Sequence, residues 1–100
     1  MPQVTIVYWR DIPAQVIVGR GRAAEKRELS KRFIEAIDRC AMRVGARDSD
    51  SYLAQWRRGA PLAEEGDDKA VADRSMAELE NTYDDARLAR LVAGDGYERT

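Results

Sequence analysis

The stretch that decides the fold is Val4-Thr-Ile-Val-Tyr-Trp9-Arg-Asp-Ile-Pro13-Ala-Gln-Val16-Ile-Val18-Gly-Arg-Gly-Arg22. Val4 to Trp9 is rich in β-branched and aromatic residues. Its interleaved sets, Val4/Ile6/Tyr8 and Thr5/Val7/Trp9, are both largely apolar, so the strand expects cover on both faces. Arg10 to Ala14 reads as a five-residue turn, because Pro13 lacks a backbone donor and drives Ile12 toward an extended conformation. Gln15 to Val18 is the second strand, and together they predict an N-terminal β-hairpin. Two strands alone are marginal in water, so the hairpin must pack on helices. Its unpaired edges also invite pairing with a second copy, which points to a homodimer with an extended sheet.

Beyond the hairpin, Gly19-Arg-Gly-Arg22 leads toward the strongest predicted helix. Leu29, Phe33, Ala36, Ile37, Cys40, Ala41 and Val44 form one apolar stripe at helical period. Lys26, Arg27, Lys31, Arg39 and Arg43, with Glu25, Glu28, Glu35 and Asp38, occupy the opposite face, and Gly45 is a natural C-terminal cap. Asp48 or Ser49 caps a second helix running to about Arg58, with Tyr52 and Trp56 four apart on one face. Gly59-Ala-Pro61 stops it, and residues 62–68 are acidic and weakly structured. A third helix is expected from about Lys69 to Asn81, with Val71, Met76 and Leu79 inward. A last helix follows from Tyr83 to Val92, capped by Asn81 or Thr82. The fold class is therefore α+β: one domain over residues 1–94, a hairpin packed against three to four helices, with residues 95–100 as a mobile tail.

One hundred residues hold 17 Lys/Arg, 18 Asp/Glu and a single Cys. The charge is uneven: residues 1–60 carry 12 basic against 7 acidic side chains, and residues 61–100 carry 5 against 11. Two oppositely charged halves that attract within one fold explain this split, and the near-zero total argues against nucleic acid as the main partner. The longest uncharged run of large aliphatic residues, Val16-Ile-Val18, is far too short to span a membrane. The start shows no basic segment followed by an apolar core, and one Cys cannot form an internal disulfide, which points to the cytoplasm.

The chemistry-bearing residues are few. The chain has no His, which removes the usual general base and the commonest metal ligand, so no catalytic residue, metal site or cofactor is assigned. Cys40 falls in the apolar stripe and reads as a buried thiol. The pairs Glu64-Glu65, Asp67-Asp68 and Asp84-Asp85 read as solvated acids, and the last also suits the first turn of a helix. Gly19-Arg22 at a predicted helix start offers a second site class, in which Arg20, Arg22, Lys26 and Arg27 contact an anion or a nucleic acid. Trp9, Tyr52 and Trp56 are either core or an exposed anchor. A protein partner is the leading expectation, with Tyr8, Trp9, Arg10, Asp11 and Trp56 as its contact surface.

The Tyr8-Trp-Arg-Asp-Ile-Pro13 turn, the long helix after it and the later Tyr52-Leu-Ala-Gln-Trp56 together resemble the small bacterial "virulence factor" domain family. That domain also occurs inside the larger conserved virulence factor C proteins. The resemblance covers roughly residues 3–90. It implies an accessory protein without catalytic residues, and it carries an association with corrinoid-dependent methyl transfer.

Overall fold

The computed structural model describes residues 2–46 and 48–98. Strands β1 (Gln3–Trp9) and β2 (Ile12–Val18) form the antiparallel hairpin, in register from Val4↔Val18 to Trp9↔Ile12. Their connection is two residues, Arg10-Asp11, rather than five. Arg10 takes a left-handed conformation, φ +56°, which closes a tighter turn than Pro13 suggests. The register shift between Val7 and Tyr8 leaves Ala14 as an extra residue, and this bulge lets Pro13 remain within a strand.

Both hairpin edges are paired by strands of the same chain. After a single 3-10 turn (Gly21–Ala23), strand β3 (Glu25–Glu28) joins β2, while β4 (Trp56–Arg58) and β5 (Leu62–Ala63) join β1. The sheet order is β3-β2-β1-β4, with β5 also along β1. The extension expected from a second copy is thus supplied from within, and the reason for a dimer at the hairpin edge disappears. Two expected helical segments are strands instead. Residues 25–28 alternate with period two, so Arg27 points one way and Lys26 and Glu28 the other. Residues 56–58 satisfy the backbone groups of β1 that the hairpin leaves open.

Among the described residues, four α-helices complete the α+β fold. Helix α1 (Lys31–Val44) buries Phe33, Ala36, Ile37, Cys40 and Ala41, and Gly45 ends it with φ +77°. Helix α2 is only Ser49–Leu53, capped by the Asp48 carboxylate, which accepts from the Ser51 N–H at 3.2 Å. Helices α3 (Asp68–Thr82) and α4 (Asp85–Ala93) start at Asp67 and Asp84, whose carboxylates accept from the Ala70 and Arg87 N–H groups at 2.9 and 2.8 Å. Asp84, not Asn81 or Thr82, is therefore the last cap. Among the described residues no helix is long and apolar enough to cross a membrane.

The sheet separates two clusters. Val4, Val16 and Val18 pack with Val71 and Ala72 of α3, and Arg27 on the same side donates to the Asp73 carboxylate at 2.9 Å. Trp9 and Ile12 join Phe33, Ile37, Cys40, Leu88 and Leu91 in the larger core between the hairpin turn, α1 and α4. The register puts Thr5, Val7, Gln15 and Ile17 on the side away from α3. Where a mobile tail is expected, the Asp95 and Gly96 carbonyls and the Glu98 N–H are bonded to Arg10 and Asp11 of the hairpin turn; residues 99 and 100 lie outside the described residues.

Glu80 ties α3 to the start of α1. It accepts from the Ser30 N–H at 2.6 Å, the Ser30 hydroxyl at 2.8 Å and Arg32 Nη2 at 3.1 Å. Burial alone would raise this carboxyl; the Ser30 and Arg32 hydrogen bonds outweigh it and hold the group below the usual glutamate range. A depressed folded-state pKa stabilises the protein above the unfolded value, and the contribution is lost as pH falls through the folded value. Glu80→Gln should thus cost on the order of 1 kcal/mol at pH 7. The difference from wild type should close in acid, below the ordinary glutamate range; urea denaturation at a series of pH values measures it. Trp9→Ala, at a site with no exposed surface, should cost about 3–5 kcal/mol in the same assay.

Candidate functional site

The expected contact residues divide into two places with different roles. Trp9 is fully buried and its indole N–H donates to the Tyr52 carbonyl at 3.0 Å. It is core and cannot be a docking surface in the folded chain. Arg10 is an internal clamp. Its guanidinium lies 5.3 Å from the Trp9 ring and 5.0 Å from the Tyr97 ring. It donates to the Asp95 carbonyl at 2.6 Å and to Gln55 Oε1 at 3.2 Å, while its N–H donates to the Gln55 carbonyl at 3.0 Å. Asp11 continues the clamp. Its N–H donates to the Gly96 carbonyl at 2.8 Å, and its carboxylate accepts from Arg57 at 2.9 Å and from the Glu98 N–H at 2.7 Å. Gly96, at φ +88°, is required here: a Cβ would stand 2.9 Å from Arg10 Cδ and 3.1 Å from Cys40 Sγ.

Tyr8 lies under Arg57, 4.4 Å from guanidinium carbon to ring, and lines a shallow polar recess with Asp11, Gly59, Tyr83 and Glu98. The charges of this recess are already matched: Arg57 pairs with Asp11 and Arg87 with Glu98. Cys40 sits beneath the clamp. Burial pushes its thiol pKa up, against the lowering effect of Arg10 and Arg43, so it lacks the thiolate character of a nucleophile.

Trp56 belongs elsewhere. It pairs across the sheet with Trp9, and its side chain is half-buried beside a groove lined by Val7, Ala14 and Gln15 of the sheet, Glu28, Leu29, and Lys31 and Ile34 of α1. Ile34 is 42% exposed there. A second depression lies next along α1, lined by Asp38, Ala41, Met42, Ala46 and Tyr52, and Tyr52 joins it to the first by meeting Trp56 edge-on at 6.0 Å. Met42 is 65% exposed. Burial raises the Tyr52 phenol, and the Asp38 charge adds to that.

The second expected site does not assemble. Gly19-Arg22 starts no α-helix, so no helix N-terminus stands ready for an anion. Arg27 is taken by Asp73 and Glu25, and the Asp68 carboxylate comes within 3.2 Å of where a Cβ on Gly19 would lie. Arg20, Arg22 and Lys26 are exposed, with no ion pair among the described residues. Val7, Ile34 and Met42 are the contact candidates that sequence reasoning missed. Their signal was present: Ile34 and Met42 are large apolar residues off the core stripe of α1.

The clamp makes a direct prediction. Arg10→Ala should free residues 95–98 from the turn and speed amide exchange at Asp11 and Glu98 about tenfold or more, corresponding to roughly 1.4 kcal/mol of lost local stability. Hydrogen exchange followed by NMR reads it, and unchanged rates at both amides would show that the clamp contributes nothing.

The fold and the groove stand alongside three comparisons. No curated protein matches the chain, and no solved structure does. A family model described as "Virulence factor" matches residues 7–92, which takes in the hairpin turn, the clamp partners up to α4 and the whole groove. By that match over most of its length, the chain belongs to the Virulence factor family.

Proposed function

We propose that the chain is a non-enzymatic accessory module that binds a protein partner through the groove between α1 and the side of the sheet away from α3. The observation that carries this is the contiguity of Val7, Ile34 and Trp56 at one groove, continued by Tyr52 and Met42. Isolated exposed apolar side chains are ordinary, but a contiguous set with aromatic residues beside it has the make-up of an interface centre. The groove displaces the hairpin turn as the binding surface, because the Trp9, Arg10 and Asp11 bonds are spent inside the molecule.

The non-enzymatic part rests on the side-chain inventory. There is no His to act as a base near neutral pH, the one thiol is buried, and Asp48, Asp67 and Asp84 are occupied as helix caps. A chain of this family with a lone, buried, reduced cysteine suits the bacterial cytoplasm, where we place the module.

Affinity capture from the native cell extract tests the reading with two surface variants. Ile34→Glu should lose a stoichiometric partner that wild type retains. Leu62→Glu, at a still more exposed apolar residue on β5, should keep it. Circular dichroism checks that both variants are folded. A partner held equally by wild type and Ile34→Glu refutes the groove as the binding surface.

A further inference from the structure

The groove has an axis, a length and a polarity, and these constrain what fits it. Its long wall is one side of α1, where Ile34, Asp38, Ala41 and Met42 fall at helical spacing. The facing wall is Trp56, Tyr52 and Ala46. Ile34 to Met42 spans eight residues, about 12 Å along the axis. This is the dimension of an amphipathic helix laid on the groove with anchors at i, i+3 or i+4, and i+7. An extended strand would seek backbone partners, and the wall offers few: α1 satisfies its own peptide groups, and the outer edge of β4 is only three residues long.

The charges run from one end to the other. At the sheet end stand Lys26 on β3 and Arg58 on β4, on the same side of the sheet, with Glu28 at the groove; Lys31, also there, pairs with Glu35 at 3.8 Å. Lys26 and Arg58 have no carboxylate partner among the described residues. Midway along it Asp38 lines the groove and makes no hydrogen bond among the described residues, and at the far end Asp48 and Asp50 begin α2. The C-terminus of α1 adds its negative dipole end. Of the cations on that part of α1, Arg43 pairs with Asp95, and Arg39 lies with Asp38 on the rim of a depression shared with α4.

We infer that the partner element is an amphipathic α-helix of about three turns, lying antiparallel to α1, with a Lys or Arg placed to meet Asp38. The antiparallel sense follows from the dipoles: the positive N-terminal end of the partner helix lies over Met42 and the negative C-terminal end of α1, and its C-terminal end lies toward Lys26 and Arg58. Apolar anchors fill the recesses beside Met42 and between Ile34 and Trp56. This rests on the protein-binding reading above and specifies the chemistry of its partner.

A random 16-residue peptide library displayed on phage and selected on the full chain is the probe. The selected peptides are then synthesised and measured by fluorescence anisotropy and NMR. Selected sequences should show helical apolar spacing with a central Lys or Arg and should become helical when bound. Affinity should fall at least tenfold on Ile34→Glu and at least fivefold on Asp38→Lys, both at exposed positions, with thermal melts confirming folded variants. A spin label on the peptide N-terminus should broaden the Met42 methyl, and one on the C-terminus the Ile34 methyl.

Selected peptides that stay extended, lack a cation or bind in the reverse sense overturn the helix inference. If they still lose affinity on Ile34→Glu, the groove survives as a binding surface without it. Peptides indifferent to Ile34→Glu, or a library yielding no binder, overturn the inference and count against the groove as well. A wild-type dimer in solution that Ile34→Glu converts to a monomer would place a second copy in the groove and refute the helix partner.

Discussion

Arg10 is the residue on which the rest of the structure depends. It stands at φ +56°, a conformation that costs an ordinary residue about 1 kcal/mol or more. The cost is offset by what the conformation allows. The two-residue turn aims the guanidinium between Trp9 and Tyr97 and brings its N–H and Nε to Gln55 and its Nη1 to Asp95. One side chain thereby joins the hairpin, the segment leading into β4 and the C-terminal residues. These segments are 45 and 85 positions away in sequence. Asp11 repeats the pattern with Arg57 and Glu98, so two adjacent turn residues close the ring of contacts.

That closure decides which surface remains free. A turn rich in Trp, Arg and Asp has the composition of a binding hot spot. Here the same chemistry is consumed internally, and the charges around Tyr8 and Tyr83 are matched before any partner arrives. The α3 side of the sheet is filled by Val71 and Ala72. What is left is the corner where α1 leaves the sheet, with Ile34 outside the core and Trp56 only half covered. The docking proposed at this place follows from how the turn spends its bonds.

The hairpin, its apolar faces, the α1 stripe with its Gly45 cap and the Asp48 start of α2 were legible in the sequence, because each rests on local periodicity or local hydrogen bonding; the Asp67 and Asp84 caps were not. The other errors share one origin, which is long-range pairing. Residues 25–28 and 56–58 are charged segments with no strong strand signal, and they become strands only because the hairpin has open backbone groups on both edges. The turn length was misjudged because Pro13 is absorbed by a bulge, and nothing local announces that. The folding of residues 95–98 onto the turn is a contact over more than 80 positions, invisible to any window reading. For the site, Tyr8, Trp9, Arg10 and Asp11 were expected as a contact surface, and in the structure the bonds of Trp9, Arg10 and Asp11 are made within the molecule. The groove was readable only as two apolar residues out of phase on α1.

The central claim is that the binding surface lies along α1 and not at the hairpin turn. The most direct measurement is photocrosslinking in living cells, with a benzoylphenylalanine placed either at Ile34 or at Tyr97, the exposed ring that caps the Arg10 clamp. The account predicts a discrete crosslinked protein adduct from position 34 and none from position 97. An adduct from position 97 with none from position 34 would contradict it and return the hairpin turn to the role of contact surface.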